Sequence, residues 1–246
     1  MLTIVSALKF DSILRYHCKS KIFSLEGALV IMLKNIKCVI FDNDGTIADT
    51  RALILPSMRH TTQTVLGKVY PDEVYASQVG IPLVDQVVKY TDDPDLQKEM
   101  MQVYRAYNEE HHDSLIRKFD GCYDALKSMA DAGVTLAVAT SKLRTLCSRG
   151  LKILGIDELM TTVVGAEDTE RHKPHGDPIV FTANKLGFDV SECAYVGDAP
   201  FDMQAAKDAG VTAIGVTWGF FSEDILVGEH ADYICHNFDE LSVLLA

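Results

Sequence analysis

Phe41-Asp42-Asn43-Asp44-Gly45-Thr46-Ile47-Ala48-Asp49-Thr50 is the stretch that decides the fold of this 246-residue chain, because two carboxylates, one residue apart, directly follow an apolar segment. The apolar run from Ile36 to Phe41 predicts a buried strand. Asp42 then lies at the carboxyl end of that strand, where open α/β sheets bind their ligands. The stretch is therefore typical of a phosphoryl-transfer site.

Each residue of the stretch suits one step of that chemistry. Asp42 can act as the nucleophile, because a carboxylate forms an aspartyl-phosphate when the phosphorus is held in line and its charge is neutralised. Asp44 can protonate the leaving oxygen and later take a proton from water. Gly45 and Thr46 offer backbone N–H groups to phosphate oxygens, and glycine allows a close approach. We therefore take Asp42 and Asp44 as candidate catalytic residues, with Gly45 and Thr46 as substrate-binding ones.

The Asp-x-Asp-Gly-Thr pattern resembles the signature of phosphatases of the haloacid dehalogenase superfamily. That resemblance implies a Ser or Thr after a second strand, a Lys ahead of a helix, and a Gly-Asp with another acid after a later strand. All three occur in that order, as Thr140-Ser141, Lys173, and Gly197-Asp198 with Asp202. Alone, Thr140-Ser141 and Gly197-Asp198 would also fit helix caps, and Lys173 indicates almost nothing. Their occurrence together and in order favours the phosphatase interpretation.

The resemblance also implies a role for each later residue. The hydroxyl of Thr140 and the N–H of Ser141 would face the phosphate. Lys173 would bridge phosphate and nucleophile as a point charge. Lys142 is the rival for that role, but its position favours a side chain that opens a helix and points outward. We expect Thr140 and Lys173 to be catalytic and Ser141 to bind substrate.

Mg²⁺ is the cofactor that the acids of these motifs would hold. It prefers a few hard oxygen ligands, completed by water and substrate phosphate. The predicted metal site comprises Asp42, Asp44, Asp198 and Asp202. Asp44 would contribute its backbone carbonyl, and Asp202 would orient the ligands rather than bind the cation.

The chain after about residue 120 alternates between helical and extended patterns. This alternation predicts the α/β class, with a doubly wound parallel (Rossmann-like) sheet as the core. The predicted helices lie near 122–132, 143–154, 177–187 and 200–209. The predicted strands lie near 134–139, 160–164, 193–197 and 211–216.

Residues 51–117 carry apolar side chains at helical spacing instead. They resemble the helical cap that these phosphatases insert after the first motif, where it closes over the site and excludes water. We therefore predict a cap domain at 51–117 and a core domain formed by 32–50 and 118–246. Gly67 is expected to end the first cap helix, and Pro56 to lie in or before its first turn.

Composition excludes several other classes of protein. The net charge is −12, with 23 basic residues spread among 35 acidic ones, and a nucleic-acid partner would need a basic stripe. No apolar segment approaches the roughly 20 residues that span a bilayer. The six cysteines are widely spaced, which favours free thiols in a reducing cytosol, and Cys38 and Cys193 fall in predicted core strands.

Residues 1–31 do not belong to this pattern. Charged residues interrupt their apolar stretches, and no basic residue precedes the apolar opening, so neither a membrane span nor a cleavable signal is expected. Met32 begins the part that resembles the phosphatases. Two interpretations stay open: a start assigned upstream of Met32, or a loosely attached amphipathic segment.

The substrate must be recognised largely by the cap. The stretches Tyr104-Arg105-Ala106-Tyr107-Asn108 and Ala139-Thr140-Ser141-Lys142-Leu143-Arg144 resemble PpaX-type pyrophosphatases, and residues 35–245 resemble phosphoglycolate phosphatases more broadly. A small phosphorylated metabolite is therefore expected, with pyrophosphate and phosphoglycolate as the leading candidates. Arg105 is a candidate substrate contact, although its stem could simply cover neighbouring side chains. The pair His111-His112 is a further candidate substrate contact, but it is more typical of the solvated end of a cap helix.

Two alternatives to a phosphatase remain at this stage. A sugar-phosphate mutase of the same fold would return the phosphoryl group to substrate instead of water. A non-catalytic binding protein on the same scaffold would have no use for the acid, base, lysine and metal positions together. The sequence leaves the oligomeric state open.

Overall fold

A six-stranded parallel sheet forms the centre of the molecule. The computed structural model describes residues 21–25, 28–33 and 35–245. Its strands, in chain order, are β1 Lys21–Leu25, β2 Ala28–Met32, β3 Cys38–Phe41, β4 Ala48–Asp49, β5 Arg117–Lys118, β6 Thr135–Ala139, β7 Thr162–Val164, β8 Cys193–Gly197, β9 Thr212–Val216 and β10 Tyr233–Cys235. The central sheet has the order β10-β9-β8-β3-β6-β7, and all of its pairs are parallel.

Helices connect and cover these strands. They are α1 Arg51–Leu66, α2 Asp72–Ala76, α3 Leu83–Val87, α4 Pro94–Leu115, α5 Cys122–Asp131, α6 Arg144–Leu154, α7 Asp177–Leu186, α8 Pro200–Ala209, α9 Glu223–Gly228 and α10 Phe238–Leu245. The predicted α/β class, with a doubly wound parallel sheet and an inserted helical cap, is confirmed. No helix in the described part of the chain is long and apolar enough to cross a membrane.

The order of the strands places the site. From β3 the sheet grows to one side through β6 and to the other through β8, so β3 lies at the switch point where open α/β sheets bind ligands. Phe41, the last residue of β3, pairs with Val138 on one side and Val196 on the other. The three strands therefore end level with one another, and the polar residues that follow them meet at one edge.

The sheet is apolar on both faces, as expected of parallel strands covered by helices. One face packs a core that includes Phe41, Leu126 and Leu136, and the other packs a core that includes Ile40 and Tyr195. All five side chains are buried. These two cores hold the strand ends in fixed positions.

The cap consists of α1 to α4. Its own small core contains Leu55, Met58 and Tyr75. The chain leaves for the cap through β4 and returns through β5, and these two segments pair antiparallel with each other. Both crossings thus lie side by side, which is the arrangement of a hinge.

The expectation for Pro56 is wrong. Pro56 is the sixth residue of α1 and lies inside the helix. Proline lacks the N–H that would bond the Ala52 carbonyl, but Ala52 is exposed, and α1 packs against α4. Gly67 does end the helix, with a left-handed φ of 65°.

The predictions for residues 1–31 are only partly covered by the structure. Residues 1–20, 26 and 27 lie outside the described residues. The described remainder, β1 and β2, forms an antiparallel hairpin.

Tyr195 links two strands of the sheet and supplies a test of the fold. Its hydroxyl donates to the Ala139 carbonyl at 2.8 Å, and both groups are buried. Tyr195→Phe should lower the free energy of unfolding by about 1–2 kcal/mol, because the carbonyl loses its donor. Urea denaturation checks this, with the exposed Tyr123→Phe as control. Equal stability of the two variants would contradict the assignment.

Candidate active site

A cavity of about 450 Å³ lies between the core and the cap, above the carboxyl ends of β3 and β6. Its floor is formed by residues that follow the strands, namely Asp42, Asp44, Thr140, Ser141 and Lys142. Its roof is formed by cap residues, among them Ile54, Val79, Leu83, Tyr104, Arg105 and Asn108. A volume in the range of roughly 300–1000 Å³ suits a small-molecule ligand.

Asp42 is the buried carboxylate at the floor of this cavity. It is 2% exposed, and its Oδ1 lies 2.9 Å from the ammonium of Lys173. Burial raises the pKa of Asp42 to about 7, Lys173 opposes that rise, and the neighbouring Asp202 adds to it. The carboxylate therefore needs positive charge beyond Lys173 to stay ionised.

Lys173 is shared between two carboxylates. Its ammonium lies 2.7 Å from Asp202 Oδ1 as well as beside Asp42, and the side chain is 1% exposed. Burial favours the neutral amine, but Asp202 and Asp42 together raise the pKa of Lys173 well above its ordinary value. Asp202 also accepts the N–H of Ala199 at 2.9 Å, which fixes its second oxygen.

Asp198 completes a cluster of three buried carboxylates. Oxygens of Asp42, Asp198 and Asp202 lie within 4.8 Å of one another. Burial, reinforced by Asp202, raises the pKa of Asp198 well above its usual range. The Lys173 ammonium contacts Asp42 and Asp202, and no ion pair is found for Asp198 within the described part of the chain. The donor set therefore fits a hard divalent cation.

Gly45 and Thr46 lie directly against Asp198. Thr46 Oγ1 donates to Asp198 Oδ1 at 3.1 Å. Gly45 has a φ of +83°, and a Cβ at this position would lie 2.5 Å from Asp198 Oδ2. Glycine is required both by the backbone conformation and by the close approach. Asp202 lies within the cluster and is also ion-paired, so its orienting role stays a prediction.

Asp44 is paired with Lys142, whose predicted orientation is wrong. Lys142 Nζ lies 2.8 Å from Asp44 Oδ1, and the lysine side chain is only 10% exposed. The helix α6 begins at Arg144, so Lys142 lies before it and can turn toward the buried carboxylate. Burial opposes ionisation of Asp44, but the Lys142 ammonium brings the pKa of that carboxyl below its usual value.

Thr140 and Ser141 lie on the floor of the cavity, as do Asp42 and Asp44. The Thr140 hydroxyl accepts the N–H of Lys142 at 3.3 Å. The Ser141 hydroxyl donates to the carbonyl of Gly80 in the cap at 2.7 Å. Ser141 thus already uses its hydroxyl between core and cap, and its backbone N–H remains the candidate phosphate contact.

The cap candidates occupy different surroundings. Arg105 lines the cavity, where it could meet a ligand. His112 is buried, at 1% exposure, and its Nδ1 lies 2.9 Å from Asp113, so the expectation of a solvated end is wrong for this residue. The end of α4 packs against Gly150 of α6, which shields the ring of His112. His111 stacks on Tyr107 at a centroid distance of 4.2 Å.

Sequence reasoning missed two residues that contact Asp198. Phe220 donates its backbone N–H to Asp198 Oδ2 at 2.7 Å. A Cβ on Gly219 would lie 2.2 Å from the same oxygen. A backbone N–H leaves no signature in the sequence, and only the glycine was a signal, because it implies a close approach.

Comparisons with known proteins agree with this geometry. A sequence model of the haloacid dehalogenase-like hydrolase family matches residues 39–216. The chain belongs to that family and is an enzyme of its phosphatase class.

Individual relatives extend the match to most of the chain. Pyrophosphatase PpaX of Halalkalibacterium halodurans is 34% identical over 206 residues, which cover 84% of this chain and 95% of the relative. The solved structure of a predicted phosphatase from Clostridium acetobutylicum superposes with a TM-score of 0.78 at 27% identity, covering 84% of this chain and 96% of that one. A predicted phosphoglycolate phosphatase from Haemophilus somnus has a TM-score of 0.76 at 22% identity, covering 84% and 96%, and shows the shared fold.

The buried carboxyl of Asp42 predicts how the stability of the metal-free enzyme depends on pH. Its folded pKa of about 7 lies above the value of an unfolded aspartate. Stability from this group is thus fully present below the unfolded pKa and is lost as pH rises through the folded pKa. The melting temperature in chelator should fall as the pH rises from about 4 to about 7, and less so in Asp42→Asn. The exposed Asp124→Asn is the control, and an unchanged slope in Asp42→Asn would contradict the shift.

The carboxylate cluster predicts stabilisation by a divalent cation such as Mg²⁺. A cation that binds only the folded state, at a hundred times its dissociation constant, adds about 2.7 kcal/mol. Asp198→Asn should lose most of that gain, because it removes a charge from the cluster. Melting curves with and without Mg²⁺ measure this, with the exposed Asp239→Asn as control. The same gain in Asp198→Asn would place the cation elsewhere.

Proposed function

We propose that this enzyme hydrolyses a small phosphorylated compound in the cytosol, with Asp42 as the nucleophile and Mg²⁺ as the cofactor. The observation that supports this most is the position of Asp42, at the floor of the cavity and in contact with Lys173 inside the carboxylate cluster. A cytosolic setting agrees with the five free, buried cysteines among the described residues.

The first chemical step forms a bond between the Asp42 carboxylate and phosphorus. The bond from phosphorus to the leaving oxygen breaks, and Asp44 donates a proton to that oxygen. Asp44 is ionised while it pairs with Lys142. An anionic substrate competes for the Lys142 ammonium, and its arrival frees the Asp44 carboxyl to take up a proton.

The second step hydrolyses the aspartyl-phosphate. Asp44, now a carboxylate, takes a proton from water as the water oxygen attacks phosphorus, and the bond to Asp42 breaks. Inorganic phosphate leaves and Asp42 is restored. Bound Mg²⁺, held by the carboxylates of Asp42 and Asp198 and the backbone carbonyl of Asp44, with Asp202 orienting them, would supply charge neutralisation for the transferring group.

Lys173 is the lysine that we assign to the nucleophile. It contacts Asp42 directly and is fixed by Asp202, so its ammonium is already in place before substrate binds. Lys142 also lies on the cavity floor, but it contacts Asp44 instead. The Thr140 hydroxyl and the backbone N–H groups of Ser141, Gly45 and Thr46 complete the proposed phosphate contacts.

Pyrophosphate is the substrate that we favour. The relative with 34% identity is named as a pyrophosphatase, whereas the neighbour named for phosphoglycolate is 22% identical. The cavity lining also includes three cationic side chains, Lys142, Arg105 and Arg149, which suit a leaving group that is itself an anion. Arg105 is the proposed cap contact.

Release of phosphate decides among these functions. Purified enzyme is assayed with pyrophosphate and with 2-phosphoglycolate, each with Mg²⁺ and with chelator, and Asp42→Asn is the blank. We expect a Mg²⁺-dependent preference for pyrophosphate of about a hundredfold in kcat/KM, which corresponds to about 2.7 kcal/mol of differential transition-state stabilisation. Arg105→Ala should raise KM for pyrophosphate, with Arg59→Ala as the control.

The other possible outcomes of this assay each indicate a different substrate, mechanism or function. A preference for 2-phosphoglycolate would mean that the proposed substrate is wrong and that the proposed mechanism still holds. Release by Asp42→Asn at the wild-type rate would overturn the mechanism. Phosphoryl transfer between sugar phosphates without release would indicate a mutase, and cation binding without turnover of any ester would indicate a binding protein.

A further inference from the structure

The loop of residues 217–222, between β9 and α9, connects the proposed cation site with the cap. Within it, Phe220 donates its N–H to Asp198 Oδ2 at 2.7 Å, and Gly219 lies so close to that oxygen that no Cβ fits. These contacts fix one oxygen of Asp198. Asp198 itself is 1% exposed, so water cannot easily replace them.

Trp218 ties the same loop to the first motif. Its indole N–H donates to the Thr46 carbonyl at 2.9 Å, while the Thr46 hydroxyl donates to the other oxygen of Asp198. Its ring packs on Phe238 of α10 at a centroid distance of 4.4 Å. Both oxygens of Asp198 are therefore held by groups whose positions depend on this loop.

Arg51 reaches the loop from the cap. It is the first residue of α1, and its Nη2 donates to the Gly219 carbonyl at 3.0 Å. Its guanidinium also lies 4.6 Å from the centre of the Phe220 ring. The Phe220 side chain in turn packs against the cap core at Leu55, Met58 and Tyr75. The loop thus contacts the cap through Gly219 and Phe220 and contacts Asp198 through the Phe220 N–H.

We propose that Arg51 is a positioning residue that sets the affinity of the cation site through the 217–222 loop. This inference rests on the proposed function, because it requires a cation beside Asp198. Arg51 does not touch Asp198. It holds the Gly219 carbonyl and the Phe220 ring, and these fix the Phe220 N–H on the carboxylate.

The size of the effect follows from these contacts. Groups that hydrogen-bond a ligating carboxylate change metal affinity by roughly 10–100-fold when they are lost. Arg51 does not contact the carboxylate itself, and it is solvent-exposed. Loss of its hydrogen bond and cation–π contact should therefore reduce metal affinity by less than loss of a direct contact would. We expect a loss of about fivefold in Mg²⁺ affinity for Arg51→Ala.

Calorimetric titration of the metal-free enzyme with Mg²⁺ tests the proposal. Arg51→Ala should bind about fivefold more weakly, and Arg51→Lys should recover part of the affinity because it keeps a cation over Phe220. Arg59→Ala removes the same charge from the same helix, where its partner is Asp72, and should bind like the wild type. Equal affinity of Arg51→Ala and Arg59→Ala would overturn the proposal.

Fluorescence provides a second readout that does not depend on turnover. Trp218 is the only tryptophan of the chain, so its emission reports the position of the loop. The emission of metal-free Arg51→Ala should differ from that of the wild type, and that of Arg59→Ala should not. Identical spectra for Arg51→Ala and the wild type would contradict a displaced loop.

Two glycine variants distinguish a failure of this inference from a failure of the proposed function. Gly219→Ala introduces a Cβ against Asp198 and should weaken Mg²⁺ binding by about tenfold or more. Gly228→Ala adds a Cβ that meets nothing and is the matched control. If the wild type binds no Mg²⁺, the proposed function fails and this inference fails with it. If the wild type binds Mg²⁺ and Gly219→Ala binds it equally well, only the positioning role is overturned.

Discussion

The structure depends on one electrostatic constraint, which is that three carboxylates and one lysine are buried together. Asp42 and Asp202 share the Lys173 ammonium, and Asp198 has no ammonium partner among the residues that the structure describes. Isolated buried charges would be strongly destabilising, so each group needs fixed partners. The parallel sheet provides them by ending β3 and β8 level with each other. Glycine provides the space, since a Cβ on Gly197 would lie 2.4 Å from Asp202.

The sequence was sufficient for the parts of the site that lie next to strand ends. A buried strand followed by acids is a local pattern, and the level ends of parallel strands then bring distant motifs together without further information. The helices and strands after residue 120 could be predicted because their alternating patterns are also local to the sequence.

Other features could not be predicted, because they depend on tertiary contacts. Lys142 turns inward because Asp44 is buried beside it, and nothing local to Lys142 encodes that partner. His112 is buried by α6, an element that follows it by some thirty residues in the chain. Pro56 stays inside α1 because packing against α4 outweighs the missing hydrogen bond. The Phe220 N–H that contacts Asp198 is a backbone group and leaves no residue signature.

The pairing of β4 with β5 has a consequence for the history of such enzymes. Residues 48–49 and 117–118 are hydrogen-bonded neighbours. The cap that lies between them in the sequence is therefore joined to the core at a single place. A segment attached in this way can be lengthened, shortened or exchanged for another without altering the register of any core strand. New specificities can therefore arise by grafting at a single point, while the phosphoryl-transfer machinery is inherited unchanged.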